Sequence, residues 1–132
     1  MRQITEILIH CSATCEGVPY TAADIDLWHR QQGWTMIGYH YVIRLDGTIE
    51  QGRPPEMAGA HCTGHNAHSI GICYIGGLDR DGRPKDTRTQ LQKDVLWSLV
   101  QSLLRQYPGA TVHGHNEFAA KDCPCFRVAD GL

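Results

Sequence analysis

Two imidazoles, an ammonium and two thiols crowd into one stretch near the end of the chain, His113-Gly114-His115-Asn116-Glu117-Phe118-Ala119-Ala120-Lys121-Asp122-Cys123-Pro124-Cys125. Neutral His and thiolate Cys are common zinc ligands, and a lysine ammonium can steady a developing negative charge. Gly114 and Pro124 mark the stretch as loop rather than helix interior. A third ligand must come from elsewhere, and His10 is the candidate, because it closes the apolar run Ile4-Thr5-Glu6-Ile7-Leu8-Ile9. Two imidazoles and one thiolate leave the fourth corner of a tetrahedron for water, which is the arrangement of a catalytic zinc. The expected set is therefore His10, Cys123 and either His115 or His113, which pattern alone does not separate.

The composition narrows the classes. A chain of 132 residues is expected to form one domain, 1–132, burying roughly two-thirds of the surface its unfolded form exposes. A net charge of −2 gives no support to nucleic-acid binding, which needs a basic surplus on one face. The apolar runs fall far short of the ~18 residues of a membrane span, so no membrane role is expected. Met1-Arg2-Gln3 and the residues after it lack the h-region and cleavage site of a secretory signal, so synthesis in the cytoplasm without a signal peptide is expected. The six cysteines then read as reduced thiols, since the core is large enough to need no staples. Cys123 and Cys125 are also too close in sequence to pair with each other.

The chemistry needs elements to hold it. Residues 3–10 read as a buried strand. Thr21 followed by Asp24 reads as a helix N-cap with an acidic first turn, the helix stopping at Gly33. Gly38–Leu45 reads as a strand, with alternation placing Tyr39, Tyr41 and Ile43 on one face and His40, Val42 and Arg44 on the other. Asp46-Gly47 predicts a type I′ hairpin returning through 48–51. Residues 52–68, rich in His and Pro, form a long loop of the kind that is usually functional, and His61 and Asn66 are its candidate substrate contacts. Ser69–Ile75 reads as a central strand. Thr89 opens the main helix, with Leu91, Val95, Leu99 and Leu103 in one stripe and Leu96, Val100, Leu104 and Tyr107 widening it. Pro108-Gly109 ends it, and 110–113 is a last short strand. This order predicts an α/β domain, a mixed central β-sheet flanked by helices.

Five segments, taken together, resemble one known family. Ile9-His10-Cys11-Ser12-Ala13-Thr14, Gly33-Trp34 with Gly38-Tyr39-His40-Tyr41, Asp46-Gly47-Thr48, His68-Ser69-Ile70-Gly71-Ile72 with Gly76-Gly77, and Lys121-Asp122-Cys123-Pro124 look like the zinc N-acetylmuramoyl-L-alanine amidases. The likeness is to the small phage lysozymes of that type, relatives of the peptidoglycan recognition proteins. The resemblance implies one zinc per chain on His10, His115 and Cys123, with Tyr39 and Lys121 assisting catalysis. It implies hydrolysis of the amide between N-acetylmuramic acid and L-alanine, so the partner is peptidoglycan and the place of action the cell wall, after release or delivery. A monomer is expected. The alternative is a non-catalytic peptidoglycan-binding module, and relatives of that sort lose the cysteine ligand. Some phage lysozymes of this kind bind their own RNA polymerase, so a regulatory protein partner is a third possibility. Two departures stand out: Cys125 where phage relatives usually carry Ser, and few residues after Phe126, where relatives often continue into a helix. The second implies a changed groove wall, hence a changed substrate range.

Overall fold

An apolar run without alternation suits a strand buried on both faces, as strands of a parallel sheet are. In the computed structural model, which describes residues 2–132, that run is β1 (Glu6–Cys11), and Ile7, Leu8 and Ile9 are wholly buried. After it come β2 (Thr14–Cys15), α1 (Ala22–Gln31), β3 (Tyr41–Ile43), β4 (Ile49–Gln51), β5 (Ser69–Tyr74), β6 (Gly77–Leu78), α2 (Gln90–Gln106) and β7 (Thr111–Gly114). Among the described residues the main sheet runs β4-β3-β5-β1-β7. β1 lies parallel to β5 and β7, β3 parallel to β5, and only β4 turns antiparallel. This is the mixed sheet flanked by helices that the element order predicts. β2 and β6 make a separate parallel ribbon. No helix among the described residues is long and apolar enough to cross a membrane.

The two faces carry different loads. Ile7, Ile9, Ile70, Ile72, Tyr74 and Ile43 pack on Leu96, Val100 and Leu103 of α2. Val42, Cys73 and Ile75 pack on Ile25 of α1 and on Ile37. His10 pairs in register with Cys73, which pairs with Val42, so the His10 ring belongs to the α1 face.

Both helices start at capping boxes, Thr21 with Asp24 and Thr89 with Gln92. Each cap side chain satisfies an amide that the first turn leaves without an intrahelical partner. The stripe on α2 is rotated from the one its leucines predict: Leu91 is exposed, and Gln92 is fully buried. The start of α2 crosses the ends of β3 and β5, and Gln92 Nε2 donates to the carbonyls of Ile43 (3.4 Å) and Ile75 (3.0 Å). An apolar side chain there would leave both carbonyls without that donor.

The hairpin also departs from expectation. Gly47 has φ 85°, but Asp46 is not among the residues with positive φ, which a type I′ turn requires at both centres. Gly47 N donates to the Arg44 carbonyl and Arg44 N to the Thr48 carbonyl, giving a three-residue loop with glycine in the left-handed position. The strand predicted from Gly38 begins only at Tyr41. Ahead of it the alternation fails, and Tyr39 packs with Val42 and Ile37 on the α1 face rather than with Tyr41. That slip turns the phenol toward His10.

The last loop is pinned to the sheet. Tyr74 Oη donates to the Pro124 carbonyl at 2.6 Å, and Asn116 Nδ2 donates to the Phe126 carbonyl at 3.2 Å. The Arg88 guanidinium sits 3.5 Å over the Phe126 ring while paired with Asp86. Tyr74→Phe should cost about 1–3 kcal/mol, because the buried Pro124 carbonyl loses its donor. Urea denaturation of the two proteins measures the difference.

Candidate metal centre and groove

Parallel strands end on one edge of a sheet, and the loops leaving that edge converge. His10 is next to last in β1, and His115 directly follows β7 in a 3₁₀ turn of residues 115–117. Their ring centroids lie 4.6 Å apart. Cys123 arrives from the pinned loop, its Sγ 3.8 Å from His10 Nδ1 and accepting the Cys11 amide at 3.2 Å. One ligand atom from each of His10, His115 and Cys123 falls within 4.8 Å of the others.

The alternatives to this set point elsewhere. His113 is held by Thr111 Oγ1 at 2.7 Å and by Glu117 at 2.9 Å. Glu117 also accepts the Gly114 amide. Burial works against its charge, but these two bonds outweigh that and hold the carboxyl below its usual range. Cys125 Sγ lies 3.9 Å from Cys11 Sγ among the residues packed against the α2 side. Burial and the Cys11 thiol push Cys125 up to about 12.

Do the residues fit a zinc ion? Zn–N bonds of about 2.0–2.1 Å and a Zn–S bond of about 2.3 Å give a tetrahedron edge of roughly 3.5 Å, near the His10–Cys123 separation. Ligand imidazoles must be neutral. Burial, then His61, His115 and Lys121, hold His10 well below its ordinary pKa. Burial and Lys121 lower His115 likewise. The donor set fits.

His10 is held from behind. Its Nε2 is 2.8 Å from His61 Nδ1, and His61 Nε2 is 3.2 Å from Ser69 Oγ. With Nδ1 on a metal, His10 would carry its proton on Nε2 and donate it to His61 Nδ1. His61 Nε2–H then points to Ser69. Burial, then His40, His115, Arg2 and Arg53, bring His61 down to about 3, so this ring stays neutral near neutrality. Asn66 Oδ1 accepts the amides of His61 and Cys62 at 2.9 and 3.0 Å. Both candidate contacts thus line the groove while using polar atoms to build it.

The groove, of 480 Å³, is lined by His115, Trp34, Tyr39, Thr63, Asn66, Phe118 and the exposed Lys121, with His61 among them. Burial first, then the thiols of Cys73, Cys123 and Cys11, push the Tyr39 phenol well above its ordinary pKa, so it remains a donor. His29 Nδ1 accepts the Gly38 amide at 2.9 Å and its ring lies against Trp34. His40, wholly buried, takes the Gly71 amide on Nδ1 and faces the Met57 carbonyl through Nε2. The sequence offered no motif for the support by His61. Its faint signal is the glycines around the ring: a Cβ on Gly71 would stand 2.7 Å from His61 Cδ2 and 2.8 Å from Cγ.

The chain is similar to proteins of known kind. The family model described as N-acetylmuramoyl-L-alanine amidase matches residues 1–126. The endolysin of Klebsiella phage KP32 is 41% identical over 125 residues, 95% of this chain and 83% of that protein. The endolysin of Escherichia phage T7 is 42% identical over 120 residues, 91% of this chain and 80% of that protein. Among solved structures, the N-acetylmuramoyl-L-alanine amidase LysC from Clostridium intestinale superposes with a TM-score of 0.80 at 31% identity, covering 93% of this chain and 77% of that one.

Because the His61 ring is fixed at both nitrogens, it cannot yield to a new methyl group. Gly71→Ala should therefore destabilise the fold by about 1–3 kcal/mol, as overpacking does; a shift of the urea midpoint measures it.

Proposed function

The chain belongs to the N-acetylmuramoyl-L-alanine amidase family, and from that membership we propose that it hydrolyses the amide joining N-acetylmuramic acid to L-alanine in peptidoglycan. It is an endolysin-type enzyme that attacks the bacterial cell wall after release or delivery. The observation that carries the reading is the meeting of His10, His115 and Cys123, with His115 opening into a groove that Lys121 and Tyr39 also line.

His10 through Nδ1, His115, and Cys123 through Sγ would hold a zinc ion. Bound there, zinc would supply a Lewis acid that polarises the scissile carbonyl and makes water nucleophilic near neutral pH. One thiolate and two neutral imidazoles leave a single net positive charge, less than three imidazoles would. Lys121 adds a second cation, donating to the carbonyl oxygen as negative charge gathers on it. Tyr39, kept protonated by burial, is a second donor lining the same groove. Both groups are in place before the substrate arrives, so little reorganisation opposes their action.

His61 positions rather than reacts. It accepts the His10 Nε2 proton, which leaves Nδ1 as the lone pair facing the metal. Asn66 folds the loop that presents His61, and the exposed sides of these two residues complete the wall along which the muramyl peptide lies.

Digestion of purified peptidoglycan with and without chelator, followed by mass spectrometry, tests the activity. The expected products are new L-Ala amino termini, lost with chelator and restored by zinc, with no new reducing sugar ends. New reducing ends would overturn the reading, and intact peptidoglycan that is nevertheless bound would make the chain a recognition module.

Two substitutions separate the roles. Lys121→Ala should lower kcat by roughly 10²–10³-fold with zinc retained. His61→Ala should weaken zinc affinity by roughly 10–100-fold in competition with a chromophoric chelator.

A further inference from the structure

A second group of metal-type donors lies on the same face of β1 as His10. Glu6 and His10 are four residues apart on that strand, so their Cα atoms are separated by about 13 Å. Glu6 Oε1 stands 2.8 Å from His65 Nδ1 and 3.1 Å from His68 Nε2. One donor from each of the three lies within 4.8 Å of the others. We propose that Glu6, His65 and His68 form a second binding site for a zinc-class divalent cation, which clamps the groove-wall loop onto the first strand.

The chemistry of the donors supports a cation. Two imidazoles and one carboxylate are a recurrent zinc ligand set that leaves a position for water. Both rings address the same carboxylate oxygen, which gathers the three donors within reach of one ion. Their separations are a few tenths of an Å below the roughly 3.3 Å edge of a zinc tetrahedron with N and O ligands. A small outward movement would seat the ion. His68, 41% exposed at its side chain, gives the site access to solvent, while the Glu6 side chain is only 16% exposed.

The backbone fixes the donors before any ion arrives. Glu6 pairs in register with Ser69, the neighbour of His68, and the Thr5 amide donates to the His68 carbonyl at 2.9 Å. His65 caps and His68 ends a 3₁₀ turn of residues 66–68. The His65 ring is stacked on Phe118 at 4.0 Å between centroids. Arg2 Nη1 donates to the carbonyls of Asn66, Ala67 and Ser69 at 3.1–3.2 Å, which holds the turn against the sheet edge. Ligands on fixed elements lose little freedom on binding. The turn also carries Asn66, which folds the His61 loop, and Phe118 lines the groove. An ion here would tie that wall to β1.

The site raises the expected stoichiometry from one zinc per chain to two. The full chain is equilibrated in zinc-buffered solution, desalted and measured for metal by atomic emission. The expected contents are two ions for the wild type, one for Cys123→Ser, one for His68→Ala, and none for the double variant. Zinc should also raise the melting temperature of Cys123→Ser by several degrees, and this shift should vanish in the double variant. One ion in the wild type, unchanged in His68→Ala, overturns the proposal and leaves Glu6 as a hydrogen-bond acceptor for two imidazoles. Because Cys123→Ser removes only the first centre, failure of the second site is distinguishable from failure of the proposed catalytic one.

Discussion

The parallel pairing of β1 with β5 on one side and β7 on the other is the constraint from which the rest of the molecule follows. It buries Ile7, Leu8 and Ile9 completely and brings the ends of β1 and β7 to one edge. Polar groups at that edge emerge from a dry, rigid sheet, so their positions are set by ladder hydrogen bonds rather than by loop flexibility. Three candidate donors, one from the first strand and two from the closing stretch of the chain, meet there because the sheet has only one carboxyl edge to offer.

The two faces divide the labour. The α2 face is apolar throughout its centre and supplies the stabilising burial, at roughly 25 cal/mol per Å² of apolar surface removed from water. The α1 face gives part of its area to polar side chains, Glu6, His10, His40 and the His61 ring above Gly71. Each of these has a partner: a histidine, a backbone amide or carbonyl, or a hydroxyl. Burying polar groups on a sheet face costs several kcal/mol unless such bonds are made. The bonds made here also aim the side chains, so satisfaction of the buried groups and preorganisation of the groove are the same fact.

The electrostatics follow from burial. Histidines held neutral can serve as metal ligands rather than cations, and a phenol held protonated can serve as a donor rather than a nucleophile. Lys121 stands exposed among the residues that line the groove.

Much of this was legible in the residues themselves. The capping pairs Thr21–Asp24 and Thr89–Gln92, the apolar run before His10 and the glycine of the Asp46-Gly47 turn are local signals, and the elements they predict are present. Donor types were equally plain, since imidazoles and thiols announce their own chemistry. What the chain order could not decide was orientation. The choice of His115 over His113 next to His10, the turning of Cys125 toward Cys11, the slip that sends Tyr39 to the α1 face, and the rotation that exposes Leu91 and buries Gln92 all depend on strand register and helix placement. Those are contacts between residues distant along the chain, as between His10 and Cys123, and no local periodicity encodes them. The use of His61 as a prop, and the meeting of Glu6 with His65 and His68, come from the same source: a loop laid across a strand face, where proximity is settled by packing and not by sequence.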